Sequence, residues 1–251
     1  MEKIKVTAVS FANALPLVFG ITHAPGRPEI DLSLDVPSVS SRKLKDGSYD
    51  LGLIPVGSLN DLKYYEILPG YCIGAEGKVR TVRLFSEVPL SGIKRILLDH
   101  HSRTSVVLVK ILAKHFWKIE PEWIEAKPGY ETREIKGETA AVSIGDKVFD
   151  IESKYKFGLD LAEEWIKFTG MPFVFAAWVA NKPMETNFIE EFNLALKYGV
   201  THLKECMEFY PNKALIESAD LNSYLQNNIS FSLDAAKIRG MHLFLKMAKE
   251  F

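Results

Sequence analysis

Residues 96–117 read ILLDHHSRTSVVLVKILAKHFW, and this stretch decides the fold class. Its first four residues are typical of a buried strand that ends at Asp99, and an apolar run of helical length begins at Val106. The polar turn between them places Ser102–Ser105 at a helix N-terminus. The first backbone N–H groups of a helix lack partners and its dipole is positive there, so a carboxylate or phosphate is a natural ligand. The alternative is that Ser102 only caps the helix and Arg103 is solvated.

The same succession of strand and helix continues on both sides of this stretch. It predicts an α/β fold of mixed, mostly parallel sheets, followed by a helical C-terminal tail from Glu185 onward. In that tail, helices are expected over residues 215–227 and 233–249. Breaks near residues 86–92 and 177–183 divide the chain into two lobes, one of residues 1–88 with 180–251 and one of residues 89–179. Two crossings between lobes predict a hinge with an interlobe cleft.

Composition narrows the possible partners. The 251 residues carry a net charge of -1, so no basic excess indicates nucleic acid or an anionic membrane surface. No stretch approaches the roughly 20 apolar residues that span a bilayer. The chain enters a strand pattern directly after Met1, and its two cysteines, Cys72 and Cys206, form no disulfide framework. We therefore expect a soluble, cytoplasmic protein in which a local site meets any anionic ligand.

Polar side chains near the ends of predicted strands provide further candidates. Asn13 lies in the turn that leaves the first strand, where open α/β sheets usually bind ligands, although it could instead cap the next helix. Thr81 is expected on a strand over residues 78–85, and Ser58 at the start of a short helix. Asp146 follows a strand end and either orients a ligand or caps a helix. These residues supply no evident acid, base or nucleophile, so on their own they predict a protein that binds a small organic anion.

Metal and nucleotide motifs give little support to other chemistries. Asp99-His100-His101 resembles the tripeptide of a metal-dependent phosphoesterase family, but the further Asp and His clusters of that family are missing at convincing spacing. Neighbouring residues of a strand point to opposite faces, which disfavours joint binding of one metal by the two histidines. The chain has no Walker loop and no Gly-x-Ser-x-Gly elbow. We therefore predict no metal site.

Five short motifs occur in an order that resembles a known family. They are NALPL at 13–17, GKVRTVRLFS at 77–86, SRTS at 102–105, IGD at 144–146, and DLAEEW at 160–165 with TGMPFVFA at 169–176. Together they resemble chorismate dehydratase of the futalosine route to menaquinone, over residues 9 to about 180. The resemblance implies the two-lobed fold of type II periplasmic binding proteins. It also implies removal of water from chorismate, a dicarboxylate, to give 3-[(1-carboxyvinyl)oxy]benzoate with no cofactor or metal.

The resemblance also implies roles for individual residues. Asn13 and Thr81 occupy the positions implicated in the reaction, although many relatives are expected to have serine where this chain has Thr81. The substrate's own enolpyruvyl carboxylate is implied to be the base. The remaining candidates are expected to bind the substrate: Ser58, Ser102, Arg103, Thr104, Ser105 and Asp146. If this is right, Asn13, Thr81 and Thr104 border one cavity.

Two other functions stay open on the sequence. A solute-binding protein for a small organic anion has the same fold. The sister enzyme of the pathway, 1,4-dihydroxy-6-naphthoate synthase, uses a catalytic histidine. None of the six histidines of this chain can be matched to that role.

Overall fold

The computed structural model describes residues 3–99, 102–127, 129–130 and 133–251, with the backbone alone at Ser218 and Ala219. In these ranges the strands are β1 (Ile4–Val9), β2 (Ile30–Asp35), β3 (Leu51–Pro55), β4 (Glu66–Ala75), β5 (Val82–Ser86), β6 (Arg95–Leu98), β7 (Glu122–Glu125), β8 (Thr139–Ile144), β9 (Phe157–Asp160), β10 (Phe173–Ala180) and β11 (Ser230–Leu233). The α-helices are α1 (Leu15–His23), α2 (Pro37–Lys45), α3 (Thr104–Ile111), α4 (Lys147–Ile151), α5 (Leu161–Thr169), α6 (Thr186–Thr201), α7 (Leu203–Glu208), α8 (Ser218–Asn227) and α9 (Ala235–Ala248). Short 3-10 helices cover Ala12–Ala14, Val56–Asp61 and Leu90–Gly92, and a π-helix covers Leu112–Trp117.

The strands form two sheets that the chain visits in turn. The first sheet has the order β11-β4-β10-β3-β1-β2, and the second has the order β7-β6-β8-β5-β9. Strands β3, β8 and β10 are buried at every position, as continuous apolar runs predict for strands covered on both faces. The α/β class and the mixed character of the sheets are therefore confirmed.

Parallel pairing is less extensive than predicted. It is confined to β2–β1–β3 in the first sheet and β7–β6–β8 in the second. The other described pairs are antiparallel, because β10 runs against β3 and β4 and β5 runs against β8 and β9. The prediction of mostly parallel sheets is wrong on this point.

Sheet membership also differs from the predicted lobe boundaries at two strands. Residues 82–86 belong to the second sheet through β5, although the sequence places them with residues 1–88. Residues 173–180 belong to the first sheet through β10, although most of them fall within the predicted second lobe. The chain thus passes between the sheets at residues 76–81 and 170–172, and the division into lobes stays a prediction with its edges moved to these segments.

The first crossing segment explains why β5 begins late. Arg80 has a φ of 65°, in the left-handed region, so the predicted strand over 78–85 cannot start before it. The Asp160 carboxylate holds this bend by accepting hydrogen bonds from the amides of Val79 (3.2 Å) and Arg80 (2.7 Å). The same carboxylate caps α5 by accepting from Ala162 and Glu163. Burial raises the pKa of Asp160 above its usual range.

The helix after the polar turn of residues 102–105 is confirmed, whereas α4 is not predicted by the sequence and the tail differs in part from its prediction. The predicted helix over 102–117 is present as α3 and the π-helix, which end at Lys118 in the left-handed region. In the C-terminal part, β11 pairs with the edge of β4, where the sequence predicts no strand. The last helix starts only at Ala235, because the Asp234 carboxylate caps it through the Lys237 amide.

One apolar core connects the helices of the second sheet to the first sheet. Trp165 of α5 meets Phe173 of β10 edge to face, with ring centroids 5.4 Å apart, and Phe244 of α9 at 6.2 Å. Such pairs add attraction beyond the area they bury. Buried apolar residues of both sheets therefore belong to one continuous core. No helix in the described part of the chain is long and apolar enough to cross a membrane.

Candidate functional site

A cavity lies where loops of the two sheets meet. It has a volume of about 60 Å³ and is partly open to solvent. Its walls are mostly apolar, and its polar lining comes from Asn13, Ser102, Thr104 and Ser105. A mainly apolar pocket with a few converging polar groups is the usual form of a small-molecule site. The remaining lining residues are Val9, Phe11, Pro37, Pro55, Ile73, Val82, Ile144, Gly145, Phe175 and Ala176.

Asn13 brings to this cavity a polar atom that has no hydrogen-bond partner in the described structure. It lies in the 3-10 helix that follows β1, and its Oδ1 atom is buried with no hydrogen-bond partner in the described structure. The alternative role as a helix cap is not seen, because the cap position of α1 is Ala14 and no side chain bonds to it. A buried polar atom without a partner is costly, by about 1–3 kcal/mol. The geometry therefore leaves the Asn13 amide available to a ligand.

The N-terminus of α3 forms the opposite wall. The Ser102 hydroxyl accepts a hydrogen bond from the Ser105 amide (3.1 Å), so Ser102 caps the helix as the simpler interpretation of the sequence predicts. Its side chain lines the cavity as well, together with that of Ser105. The two interpretations of this turn are thus compatible, since a capping serine keeps its own O–H for a ligand.

Thr104 is used differently from what the sequence suggests. Its hydroxyl donates to the carbonyl of Phe175 (3.1 Å) and accepts from the amide of Gly57 (3.0 Å). Both partners belong to the side of the first sheet, whereas α3 packs on the second. The Thr104 hydroxyl therefore joins the two sides of the cavity, and its hydrogen-bonding capacity for a ligand is largely taken.

Thr81 does not border the cavity, which corrects the prediction that it shares one with Asn13 and Thr104. Its side chain is fully buried, and its hydroxyl lies 2.8 Å from the hydroxyl of Tyr224 in α8. Burial raises the pKa of Tyr224, so this phenol stays neutral. The next residue, Val82, borders the cavity, whereas the Thr81 hydroxyl before it is directed towards Tyr224.

Ser58 and Arg103 also lie outside this cavity. Ser58 accepts a hydrogen bond from Ser41 (3.1 Å), and Arg103 extends to the surface, where it pairs with Asp61 (3.0 Å). Both line a separate polar cavity beside α2. Arg103 points there because consecutive residues of a helical turn face directions about 100° apart, so it cannot share the cavity face of Ser102 and Ser105. The structure thus places these two residues at a different cavity from Asn13 and Ser102, and their contact with substrate stays a prediction.

Asp146 neither caps a helix nor faces the cavity. The carboxylate accepts hydrogen bonds from the Ala12 amide (2.9 Å), the Tyr210 hydroxyl (2.8 Å) and the Asn212 side chain (3.3 Å). No side-chain cap bond forms at the start of α4. The capping bond is therefore not seen in the described structure, where the residue joins β8 to the turn before Asn13, and its contact with a ligand stays a prediction. Its neighbour Gly145, with φ 74°, brings the backbone close to the Phe11 ring.

Sequence reasoning missed the residues that arrange this site from a distance. Tyr210 and Tyr224 come from the C-terminal part, where no motif marks them. Arg80 pairs with Glu152 (2.5 Å) and Asp220 (2.6 Å), and so ties the crossing segment to α4 and α8. Asp160 did carry a signal, because Asp followed three residues later by Glu is typical of a helix start.

The Asp99-His100-His101 stretch, which the sequence analysis considered as a metal site, is described only at Asp99. The buried Asp99 carboxylate accepts from Lys147 (2.5 Å) and Tyr130 (3.0 Å). His100 and His101 lie outside the described residues. Across the ranges that the structure describes, no group of three or more His, Cys, Asp or Glu side chains is arranged to hold a metal ion.

Comparison with known structures and sequences defines first the class and then the family. The fold is similar to protein AF1704 from Archaeoglobus fulgidus (TM-score 0.79, 16% identity, covering 99% of this chain and 97% of the other). It is also similar to the Candida albicans CA3427 gene product, described as exhibiting the generic periplasmic binding protein structural fold (TM-score 0.71, 12% identity, covering 100% and 91%). The fold is therefore that of periplasmic binding proteins, as the resemblance implied.

The family follows from the sequence. A family model described as "Menaquinone biosynthesis" matches residues 4–250, so the chain belongs to that family. The chain is also 27% identical over 219 residues to a protein named chorismate dehydratase from Thermus thermophilus, covering 76% of this chain and 77% of the relative.

Proposed function

We propose that this protein is a chorismate dehydratase, a carbon–oxygen lyase of the futalosine route that converts chorismate to 3-[(1-carboxyvinyl)oxy]benzoate. Membership of the menaquinone family supports the pathway, and the Thermus relative supports the reaction. The observation that carries the proposal is the pairing of an unpartnered Asn13 amide with the N-terminus of α3 across one cavity.

The reaction suits a cavity that positions its substrate and supplies few reactive groups. Chorismate loses a ring proton and the hydroxyl of the neighbouring carbon, which leave together as one water molecule while the ring becomes aromatic. No electrons are gained or lost, so the proposal includes cofactor independence. The protein has to hold one conformer and stabilise the charge that moves towards the ring carboxylate. The base is proposed to be the substrate's own enolpyruvyl carboxylate.

The described contacts suggest a division of roles. We assign Asn13 to the departing hydroxyl or to the carboxylate of the enolpyruvyl arm, because its amide is free within the cavity. The hydroxyls of Ser102 and Ser105 are assigned to a substrate carboxylate beside the positive end of α3. Thr81 is assigned an indirect role. Its carbonyl accepts a hydrogen bond from the Gly145 amide (3.0 Å), and the next residue along the chain is Val82. Gly145 and Val82 both line the cavity.

Incubation of the purified protein with chorismate, with the product followed by mass, tests the proposal directly. Asn13→Ala should lower kcat/KM by about 10²–10³-fold, as the loss of a preorganised polar group does in other enzymes. Asn187→Ala is the matched control, because that side chain is exposed and its one hydrogen bond among the described residues is to Glu191 of its own helix. Equal turnover in the two variants would remove Asn13 from the mechanism. An excess of chelator should leave wild-type turnover unchanged.

A solute-binding protein for a small organic anion is the second candidate, and the likeness to binding-protein structures favours it. It predicts that chorismate is bound and recovered unchanged in the same incubation. A cytoplasmic location belongs to the enzyme proposal. It is supported by Cys72 and Cys206, which are both buried free thiols and thus suit a reducing compartment.

A further inference from the structure

The turn that carries Asn13 is held from a distance by the C-terminal part of the chain. Asp146, at the end of β8, reaches from the second sheet into a socket on the side of the first sheet. Its Oδ1 atom accepts from the Ala12 amide, and its Oδ2 atom accepts from the Tyr210 hydroxyl and the Asn212 side chain. We refer to these three donors, Ala12 N–H, Tyr210 O–H and Asn212 Nδ2–H, as the Asp146 socket.

The socket is built to hold a charge out of water. Asp146 is 5% exposed and Tyr210 is 2% exposed, so the contacts of the carboxylate with Tyr210 and Ala12 are shielded from solvent, whereas Asn212 lies at the exposed edge of the socket. Hydrogen bonds to a carboxylate are about twice as strong as those between neutral groups. Burial raises the pKa of Tyr210, so its hydroxyl keeps the proton that it donates. Loss of the Tyr210 donor would leave the carboxylate short of a partner that water cannot easily replace.

The socket contacts the turn that carries Asn13. Ala12 and Asn13 share a 3-10 helix of only three residues, and the Asn13 side chain itself makes no hydrogen bond through Oδ1. The bond from the Ala12 amide to Asp146 is therefore a direct restraint that this turn receives from the second sheet. It exists only while the loops of the two sheets are together.

We infer that Tyr210 is a positioning residue for the proposed reaction, which acts on Asn13 through Asp146 and the Ala12 amide. Its kinetic consequences rest on the proposed function, but its structural consequence does not. When the loops separate, the carboxylate leaves the socket and the turn loses its restraint. Placement of the Asn13 amide is thereby linked to closure of the cavity. The substrate is therefore protected from water at the time when the amide is in position.

The kinetic test compares Tyr210→Phe with Tyr198→Phe. Tyr198 is the matched control, because its ring stacks on His202 and its hydroxyl makes no hydrogen bond in the described part of the chain. We expect kcat for Tyr210→Phe to fall by about 10–100-fold, the scale of a misplacement near 1 Å, with a smaller change in KM. Adding Tyr210→Phe to Asp146→Ala should cost no further kcat, because the same path is already broken. A purely structural Tyr210 would lower the melting temperature and leave kcat of the folded enzyme unchanged, and that result would overturn the inference.

A second readout needs no activity. The side-chain amide signals of Asn13 in a ¹H–¹⁵N spectrum are assigned by their absence in Asn13→Asp. They should shift or broaden in Tyr210→Phe and stay in place in Tyr198→Phe. Unchanged signals in Tyr210→Phe would refute the positioning role even if the wild type were inactive on chorismate, whereas inactivity with shifted signals would refute only the proposed function.

Discussion

Replacement of Thr104 by valine should reveal whether its hydroxyl binds substrate or joins the two sides of the cavity. Valine has nearly the same shape but can neither donate to the Phe175 carbonyl nor accept from the Gly57 amide. The Phe175 carbonyl has no obvious replacement partner, because β10 is irregular between Val174 and Ala176 in its pairing with β4. The Thr104 hydroxyl therefore gives the Phe175 carbonyl a hydrogen bond at the point where the pairing of β10 with β4 is irregular.

The magnitude follows from the burial of the two partners. The bond to Phe175 is buried, so its carbonyl bears the full cost of an unmet acceptor, about 1–3 kcal/mol. The Gly57 amide is only partly buried and loses less. We expect Thr104→Val to lower the free energy of unfolding by about 2–4 kcal/mol in total. In a chain of this length each kcal/mol lowers the melting temperature by about 2–4 °C.

Urea unfolding followed by circular dichroism measures this loss. The matched control is Thr201→Val, because the Thr201 hydroxyl is exposed and its partners in the described structure are all local: the carbonyls of Lys197 and Tyr198 and the ring of His202. It should change stability by less than about 0.5 kcal/mol. The KM for chorismate should stay near the wild-type value in Thr104→Val and rise in Ser105→Ala. Equal stability in both threonine variants, or a raised KM with unchanged stability in Thr104→Val, would refute the assignment.

Two further substitutions and one pH series probe the same architecture. Gly57→Ala should be strongly destabilising, because a Cβ there would lie 2.8 Å from the Thr104 Cα, and thermal unfolding should show a loss of several degrees. Gly145→Ala should also lower the melting temperature, since φ 74° is strained for alanine and the Cβ would press on a ring at 3.1 Å. The Arg80 guanidinium holds the pKa of Asp220 below its usual range, so this pair contributes stability above about pH 4 that is lost as the pH falls through the lowered pKa. Unfolding measured between pH 2 and 6, roughly the range over which carboxylates titrate, should show a shallower acid slope in Asp220→Asn, and an unchanged slope would contradict the role of the pair.

The local elements of this fold could be predicted from sequence because their signals are local. The sequence predicts a short amphipathic helix over residues 161–169 that ends at Gly170, and α5 has these bounds, since Asp160 caps its start and Gly170 adopts the left-handed conformation at its end. A strand is also predicted over residues 139–144, and β8 is found there, buried at every position. The placement of Asn13 and Ser102 beside one cavity follows from the same local signals, since both come directly after strand ends.

Contacts between distant parts of the chain could not be predicted in this way. β11 is only four residues long, and it forms because the edge of β4 is open to it. The late start of β5 depends on the left-handed Arg80, which is held by Asp160 from 80 residues away. Asp146 has the sequence context of a helix cap or ligand contact. Its actual partners, among them Tyr210, come from parts of the chain that no periodicity connects to it.

The wide separation of these contacts along the chain has a consequence for biosynthesis. The bond between Ala12 and Asp146 spans 134 residues, and the bond between Asp146 and Tyr210 spans a further 64. Domains form as units during translation, and distant pairings form slowly because a long loop must be closed first. A nascent chain can therefore complete both sheet centres while Tyr210 is still within the ribosome. Until that tyrosine emerges, the newly made protein has its scaffold but not the arrangement around Asn13.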